Sequence, residues 1–279
     1  MRATVLTHGR PQQTAAALKA LIAVAGRSGV VLRFDPEETR KHGLSPGEGI
    51  ECDAEIVDDV DLCLVLGGDG TILRGLRRYA STGVPTFAVN FGEVGFLATV
   101  DPDEIDGGFE RAFAGDFDVL TLPALALELP DGAAAAINDV SIHRKVGRRV
   151  ARLAYELEGV EVGSVRCDGL VVATPAGSTG YNLANGGPVL AWGVEGYVVS
   201  FIAPHSLTAR TLVVAPGDRL TIHNRSYDPV DISIDGVTAG EVATGETISA
   251  QFVGQATKLA QISGSSFYRR LREKFGLLA

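Results

Sequence analysis

Asp61-Leu62-Cys63-Leu64-Val65-Leu66-Gly67-Gly68-Asp69-Gly70-Thr71 decides the class of the fold. The run from Asp61 to Leu66 is almost continuously apolar. A strand with no polar face must be covered on both sides, which is the pattern of a parallel sheet between helices. The glycines break the strand, and Ile72 to Tyr79 then has helical spacing. Working outward, residues 2–7 predict a short buried strand. Gln12 to Ala25 predicts a helix ended by Gly26 and Gly29, and Val30 to Phe34 a second strand. A polar stretch runs from Asp35 to Asp53. Val84 to Val89 predicts another strand, ending in a loop from Asn90 to Phe96. This alternation predicts an α/β domain built on a parallel sheet over residues 1–117.

Near Phe117 the texture changes. LTLPALALELP, AAINDVSIHR, RLAYELEG, VEVGSVRC, LVVATP, YVVSFIAP, RLTIHN, VDISIDG and TISAQFVG read as strands with few helices between them. Residues 118–261 are therefore expected to form a β-rich domain. The alanine run at 133–136 is too short to carry weight. The tail, residues 262–279, predicts an amphipathic helix with Phe267, Leu271 and Phe275 on one face.

Composition narrows the function. The chain has 279 residues, 46% of them apolar, enough for a sizeable core in one or two domains. A net charge of −9 argues against general nucleic-acid binding, because phosphate neutralisation needs clustered Lys and Arg. A phosphate-bearing ligand must then be met locally. Three cysteines, Cys52, Cys63 and Cys167, form no C-x-x-C pair, so reduced thiols are expected rather than a disulfide framework. The first residues do not read as a signal peptide and no run of 18 apolar residues occurs, so the expectation is a cytoplasmic protein with no membrane partner.

Three stretches carry chemistry. Gly67, Gly68, Gly70 and Thr71 follow a strand and precede a helix, where open α/β sheets bind ligands and where glycine backbone can approach a phosphate. Asp69 at the centre of such a loop would repel phosphate unless it has a task. It can accept a proton from an attacking hydroxyl or help hold magnesium. The plainer reading is a tight turn with Asp69 as helix cap. The second stretch is Asn138-Asp139, which alone reads as structural. The third runs from Arg166 to Pro188. In it, Asp168 can accept from two neighbouring sugar hydroxyls. Ser178, Thr179 and nearby backbone N–H groups can meet a pyrophosphate or a base, and Tyr181 can stack.

Together these stretches resemble the NAD kinase family. Its members combine G-G-D-G-[TS], an Asn-Glu or Asn-Asp pair, and D-G-x-x-x-[ST]-[TS]-P-x-G-S-T-[AG]-Y followed by G-G-P. All three occur here in order. Ala203 to Arg210 resembles the family's P-H-[ST]-L-[ST]-x-R stretch, and Ser233-Ile234-Asp235-Gly236 its Asp-Gly turn. The resemblance implies a Rossmann-like N-terminal domain, a β-sandwich-like C-terminal domain and a last helix returning to the first. It implies transfer of a phosphoryl group from ATP or inorganic polyphosphate, with Mg²⁺, to the adenosine 2′-hydroxyl of NAD, in a homodimer or homotetramer. By position, Asp69 is the proton acceptor and Gly70 lies at the phosphates. Asn138, Asp139 and Asp168 hold adenine and ribose groups. Ala176, Thr179, Gly180, Tyr181, Asn182, Leu183 and Ala184 line the dinucleotide, with Phe96 near the adenine. Arg166 faces phosphate, Arg74 and Arg149 are further basic contacts, and no metal site is built from protein side chains. Three positions depart from the commoner pattern: Asp139 for glutamate, Gly180 for alanine and Val237 for glutamine.

Two other enzyme classes compete. Lipid kinases share G-G-D-G-T, but the stretch from Asn90 to Leu97 lacks their P-x-G-[TS]-x-N-D motif. A serine hydrolase would use Ser178 in Ala176-Gly177-Ser178-Thr179-Gly180, close to a nucleophile elbow, with His205 as base; that reading leaves Asp69 without a role. A binding-only NAD sensor is the non-enzymatic alternative. Pro204 to Leu207 reads as a tight turn that makes His205 and Arg210 structural.

Overall fold

The strand Leu62–Gly67 is buried at every residue, as its apolar run requires. It lies in a computed structural model that describes residues 1–92, 95–263 and 266–276. Residues 93 and 94 of the expected 90–96 loop, and 264, 265 and 277–279 of the expected terminal helix, lie outside these. The chain forms two compact units, Met1–Thr121 with Thr257–Ala279, and Leu122–Ala256.

The first stretch of chain runs β1 (Arg2–Thr7), α1 (Pro11–Ser28), β2 (Val31–Arg33), α2 (Pro36–His42), β3 (Ile50–Glu51), β4 (Leu62–Gly67), α3 (Asp69–Arg78), β5 (Pro85–Asn90) and α4 (Ile105–Ala114). Next come β6 (Asp118–Leu129), β7 (Gly132–Ala136), β8 (Asp139–Arg144), β9 (Ala151–Leu157), β10 (Val160–Cys167) and β11 (Gly169–Ala173). The short helix α5 (Tyr181–Ala184) precedes β12 (Tyr197–Ile202), β13 (Leu212–Val214), β14 (Leu220–Asn224), β15 (Val230–Ile234), β16 (Val237–Val242), the long β17 (Thr247–Gln261) and α6 (Phe267–Phe275).

In the first unit the strands stand in the order β3-β2-β1-β4-β5, followed by the end of β17. Every neighbouring pair is parallel, with registers such as Val5↔Leu64, Leu64↔Phe87 and Lys258↔Pro85. Helix α1 buries Thr14, Ala17, Leu18, Leu21, Val24 and Ala25, one face at helical spacing, against Leu32, Leu64 and Phe87. Gly26 does not end this helix. The backbone N–H of Gly29, at φ 65°, closes it on the Ala25 carbonyl, a left-handed position that suits glycine.

The second unit is a sandwich of antiparallel sheets. One has the order β13-β12-β11-β8-β15-β16. The other contains β10-β9-β14 and the start of β17, with the β6–β7 hairpin. Val140, Ile142, Leu170, Val172 and Ile232 from the first meet Leu153, Tyr155, Ile222 and Ile248 from the second. The alanine run is a strand after all. Gly132–Ala136 pairs with Leu125 to Leu129, and that pairing overrides alanine's weak strand preference.

The final helix α6 belongs to the first unit. Phe267 and Phe275 reach the Phe96 ring at 5.7 and 5.8 Å between centroids. Leu271 is only half-buried, and the second buried residue of the helix is Arg270. Among the described residues no helix is long and apolar enough to cross a membrane.

Candidate active site

In the first unit the chain leaves β1 toward β2 on one side and β4 toward β5 on the other. The carboxyl ends of β1 and β4 therefore flank the crevice where strand order reverses. Gly68 caps α3 without a side-chain bond, and Asp69 is the first residue of that helix. Its carboxylate does not cap the helix. Oδ2 accepts the Phe96 N–H and Oδ1 the Leu97 N–H, both at 3.1 Å. Close approach asks for glycine at some of these positions: a Cβ on Gly67 would lie 2.6 Å from the Thr71 side chain, and one on Gly92 would lie 2.8 Å from the Gly68 Cα, whereas one on Gly70 would meet nothing within 4 Å. A cleft of about 600 Å³ opens there, lined by His8, Arg10, Gln13, Asp69, Phe91 and Gly92. The backbone N–H of Arg10 donates to His8 Nδ1 at 3.1 Å, which orients the His8 ring in the turn after β1.

Arg74 does not line this cleft. Its Nη2 donates to Glu38 Oε1 at 2.8 Å. Glu38 is fully buried and also accepts from Lys41 Nζ at 2.8 Å, the Thr7 N–H at 3.0 Å and Thr7 Oγ1 at 2.7 Å. Arg74 is thus the partner of a buried carboxylate at the end of β1, a costly group to leave unpaired. Burial lowers the pKa of His42 beside it. Glu38 went unremarked in the polar stretch, yet Asp35-Pro36-Glu37-Glu38 is a helix-start signature. Asp35 accepts the Glu38 N–H at 2.7 Å.

In the second unit, Asn138 and Asp139 open β8, beside the end of β11 and the turn after β15. Asp235 in that turn, at φ 48°, accepts the N–H groups of Ile137, Asn138 and Asp139 at 3.1, 2.7 and 3.1 Å. Thr174 Oγ1 donates to the Ile137 carbonyl at 2.6 Å. The Asn138 Oδ1 is buried and has no hydrogen-bond partner among the described residues. Asp139 is 7% exposed, and burial, with the facing Asp235, pushes its carboxyl up to about 7. Asp139, Ser141 and His143 share one face of β8, opposite Val140 and Ile142 in the core. The Tyr181 ring stacks on His143 at 5.5 Å and 12°.

The Gly-Ser-Thr turn is a short 3₁₀ segment, Gly177–Thr179. Ser178 is fully buried. Its Oγ donates to the Pro175 carbonyl at 2.7 Å and accepts the Leu190 N–H at 2.8 Å. That staple removes Ser178 from ligand contact and from any hydrolase role, and His205 is exposed in a separate turn. Asn182, also fully buried, donates to the Ser178 and Pro188 carbonyls at 2.9 Å. Thr179 Oγ1 bonds the Ala176 carbonyl at 3.1 Å; both residues are buried, Leu183 is half-buried and Ala184 exposed.

Asp168 stands between β10 and β11. Arg144 Nε donates to its Oδ1 at 2.6 Å, and this bond holds the half-exposed carboxyl below the usual range. Arg166 is exposed on β10, and the Arg149 guanidinium lies 5.4 Å from the Tyr227 ring centroid. His143, Arg144 and Asp235 were not singled out as site groups. Only antiparallel pairing brings His143 level with Gly169, and sequence spacing carries no trace of that.

Comparison with known proteins follows this division. The family model described as ATP-NAD kinase N-terminal domain matches residues 34–117, and that described as ATP-NAD kinase C-terminal domain matches residues 137–261. The chain is 32% identical over 285 residues to the NAD kinase of Gemmatimonas aurantiaca, covering 99% of this chain and 96% of that one. It is 32% identical to the NAD kinase of Bifidobacterium longum subsp. infantis, over 99% and 82% of the two chains. Yeast NADH kinase in complex with NADH has the same fold, with a TM-score of 0.87, 23% identity and coverage of 100% and 88%. An NAD kinase from Archaeoglobus fulgidus in complex with ATP superposes with a TM-score of 0.73 at 26% identity, covering 99% and 98%.

Proposed function

The chain belongs to the NAD kinase family, and from that membership we infer that it phosphorylates the adenosine 2′-hydroxyl of NAD, with Asp69 taking the proton. A ribose hydroxyl is a weak nucleophile, and a base within about 2.6–3.2 Å raises its reactivity as it attacks the γ-phosphoryl. The observation that carries the role is the fixing of Asp69. Two backbone amides hold its carboxylate at the crevice where the strand order reverses, and it lines the cleft beside the His8–Arg10 turn. A carboxylate oxygen has a second lone pair, so each oxygen can still accept from a hydroxyl. The amides of the glycine loop supply donors for charge developing on the transferred group.

The second unit, Leu122–Ala256, within the 118–261 expected from the sequence, is read as the NAD-binding domain, and the first, with the terminal helix, as the domain of the glycine loop. Asn138, with its unpartnered buried oxygen, suits the exocyclic amine of adenine. Asp139, close to half-protonated at neutral pH, can both donate to and accept from a base edge. Asp168 is assigned to ribose hydroxyls, since a carboxylate holding its charge through Arg144 is a strong acceptor. Tyr181 offers a stacking face and Arg166 an exposed cation.

The donor is ATP or polyphosphate carrying Mg²⁺. Among the described residues no three His, Cys, Asp or Glu side chains cluster to hold a metal. The magnesium ion is proposed to arrive on the donor's phosphates and to keep most of its ligands there and in water. Such an ion neutralises donor charge. Two of the three unpaired cysteines are buried, in keeping with a reducing cytoplasm. A homodimer or homotetramer would cover apolar edge residues such as Val160 and Val162 on β10, 66% and 46% exposed. The decisive assay incubates the chain with NAD, Mg²⁺ and either ATP or polyphosphate and scores NADP. No NADP with either donor would overturn the reading.

A further inference from the structure

We propose that Arg270, on the terminal helix α6, is a positioning residue for Asp69, acting through the backbone of Phe96 to Ala98. This rests on Asp69 being the proton acceptor. The segment is gripped from two sides. Its Phe96 and Leu97 N–H groups donate to Asp69. Its Phe96 and Ala98 carbonyls accept from Arg270 Nη1 at 2.9 and 2.5 Å. The Phe96 carbonyl and the Leu97 N–H belong to one peptide group. A cation on the oxygen and an anion on the hydrogen fix that plane at both ends, and each bond polarises the other. Arg270 Nη2 donates to Gln261 Oε1 at 2.5 Å, which sets the guanidinium's rotation.

Packing alone does not ask for arginine here. Arg270 is 9% exposed, and burial pulls its pKa down, a cost that a methionine would not incur. Asp69 is among the carboxylates whose charge acts on it. The apolar work of α6 is done by Phe267 and Phe275, which clasp the Phe96 ring. What arginine adds is a planar fork that can hold two carbonyls in fixed directions, which a lysine point charge does less well. Since a displacement of about 1 Å at a reacting group can cost about 10²-fold in rate, a base held by two amides depends on what holds those amides.

The test uses the full chain with Arg270→Gln, Arg270→Lys, Gln261→Leu and Asp69→Asn. Steady-state kinetics are run for NAD and ATP, with hydrogen exchange at the Phe96 and Leu97 amides. Arg270→Gln is expected to lower turnover about tenfold or more while both KM values stay within about twofold, with faster exchange at the two amides. Arg270→Lys should recover part of both, and Gln261→Leu should show a milder form of the same pattern. If Arg270→Gln does not fold, Arg270→Lys and Gln261→Leu decide. Unchanged turnover and unchanged exchange in folded variants would overturn the proposal, as would a rise in KM with turnover kept. If Asp69→Asn keeps its turnover, the assignment of the base fails instead. The exchange data then still report whether Arg270 holds the two amides.

Discussion

Asp235 accepts the backbone N–H of Asp139 at 3.1 Å, and the two carboxyl groups face one another in a buried corner of the second unit. Asp235 accepts from three backbone amides, and burial beside it pushes the Asp139 carboxyl up to about 7 against 3.8 in an unfolded chain. The folded state therefore binds more protons than the unfolded state between about pH 4 and pH 7, and this group's contribution to stability falls as pH rises through that window. Fully ionised, the penalty is on the order of 4 kcal/mol. Asp139→Asn should raise the melting temperature at pH 8 by several degrees and leave it nearly unchanged at pH 4. An equal gain at both pH values would rule out the carboxyl as its source.

Asp69→Asn keeps the shape and deletes the carboxylate proposed as the base. It also turns an amide NH₂ toward one of the two backbone N–H groups that the carboxylate accepts. Turnover should fall about 10²–10⁴-fold, with the NAD dissociation constant kept. Calorimetric titration beside an NADP assay separates the two quantities, and retention of more than half the wild-type rate would remove Asp69 from the mechanism.

For Asp168→Ala the emphasis reverses. Losing a charge-assisted acceptor for ribose hydroxyls should raise the NAD KM roughly 10–150-fold and leave the donor KM unmoved. The Arg144 pair is about a third exposed at both partners, so melting should shift little. Rescue by excess Mg²⁺ would point instead to a metal ligand, and an unchanged NAD KM would sink the assignment.

Gly177→Ala and Gly180→Ala should part company. At Gly177 a Cβ would lie 2.0 Å from the Asn138 carbonyl oxygen, and neither backbone can give way without moving the Asn138–Asp139 corner. A loss of about 1–3 kcal/mol, with NAD affinity, is expected. At Gly180 the nearest atom would be 3.4 Å away. That variant should fold and bind NAD normally. Paired melting curves and NAD titrations check both.

Sequence alone determined the elements whose reasons are local. The apolar run into Gly67-Gly68-Asp69 required a covered parallel strand with a loop at its carboxyl end. Alternation required strands beyond Phe117, and spacing required a final helix. Asp69 in its glycine loop could be picked out because loop chemistry is written in consecutive residues, whereas Asn138-Asp139 drew attention only in company with the other motifs. Tertiary structure decided what each side chain faces. It turned Asp69 from a possible cap to the amides of Phe96 and Leu97. It withdrew Ser178 and Asn182 into backbone staples, gave Arg74 to the buried Glu38, made a strand of an alanine run and carried α1 past Gly26. It also joined Arg270 to Phe96, 174 residues away. The reason is physical: a hydrogen bond or an ion pair depends on distance in space. A strand register or a helix that closes back on an earlier loop sets those distances, and local composition does not encode them.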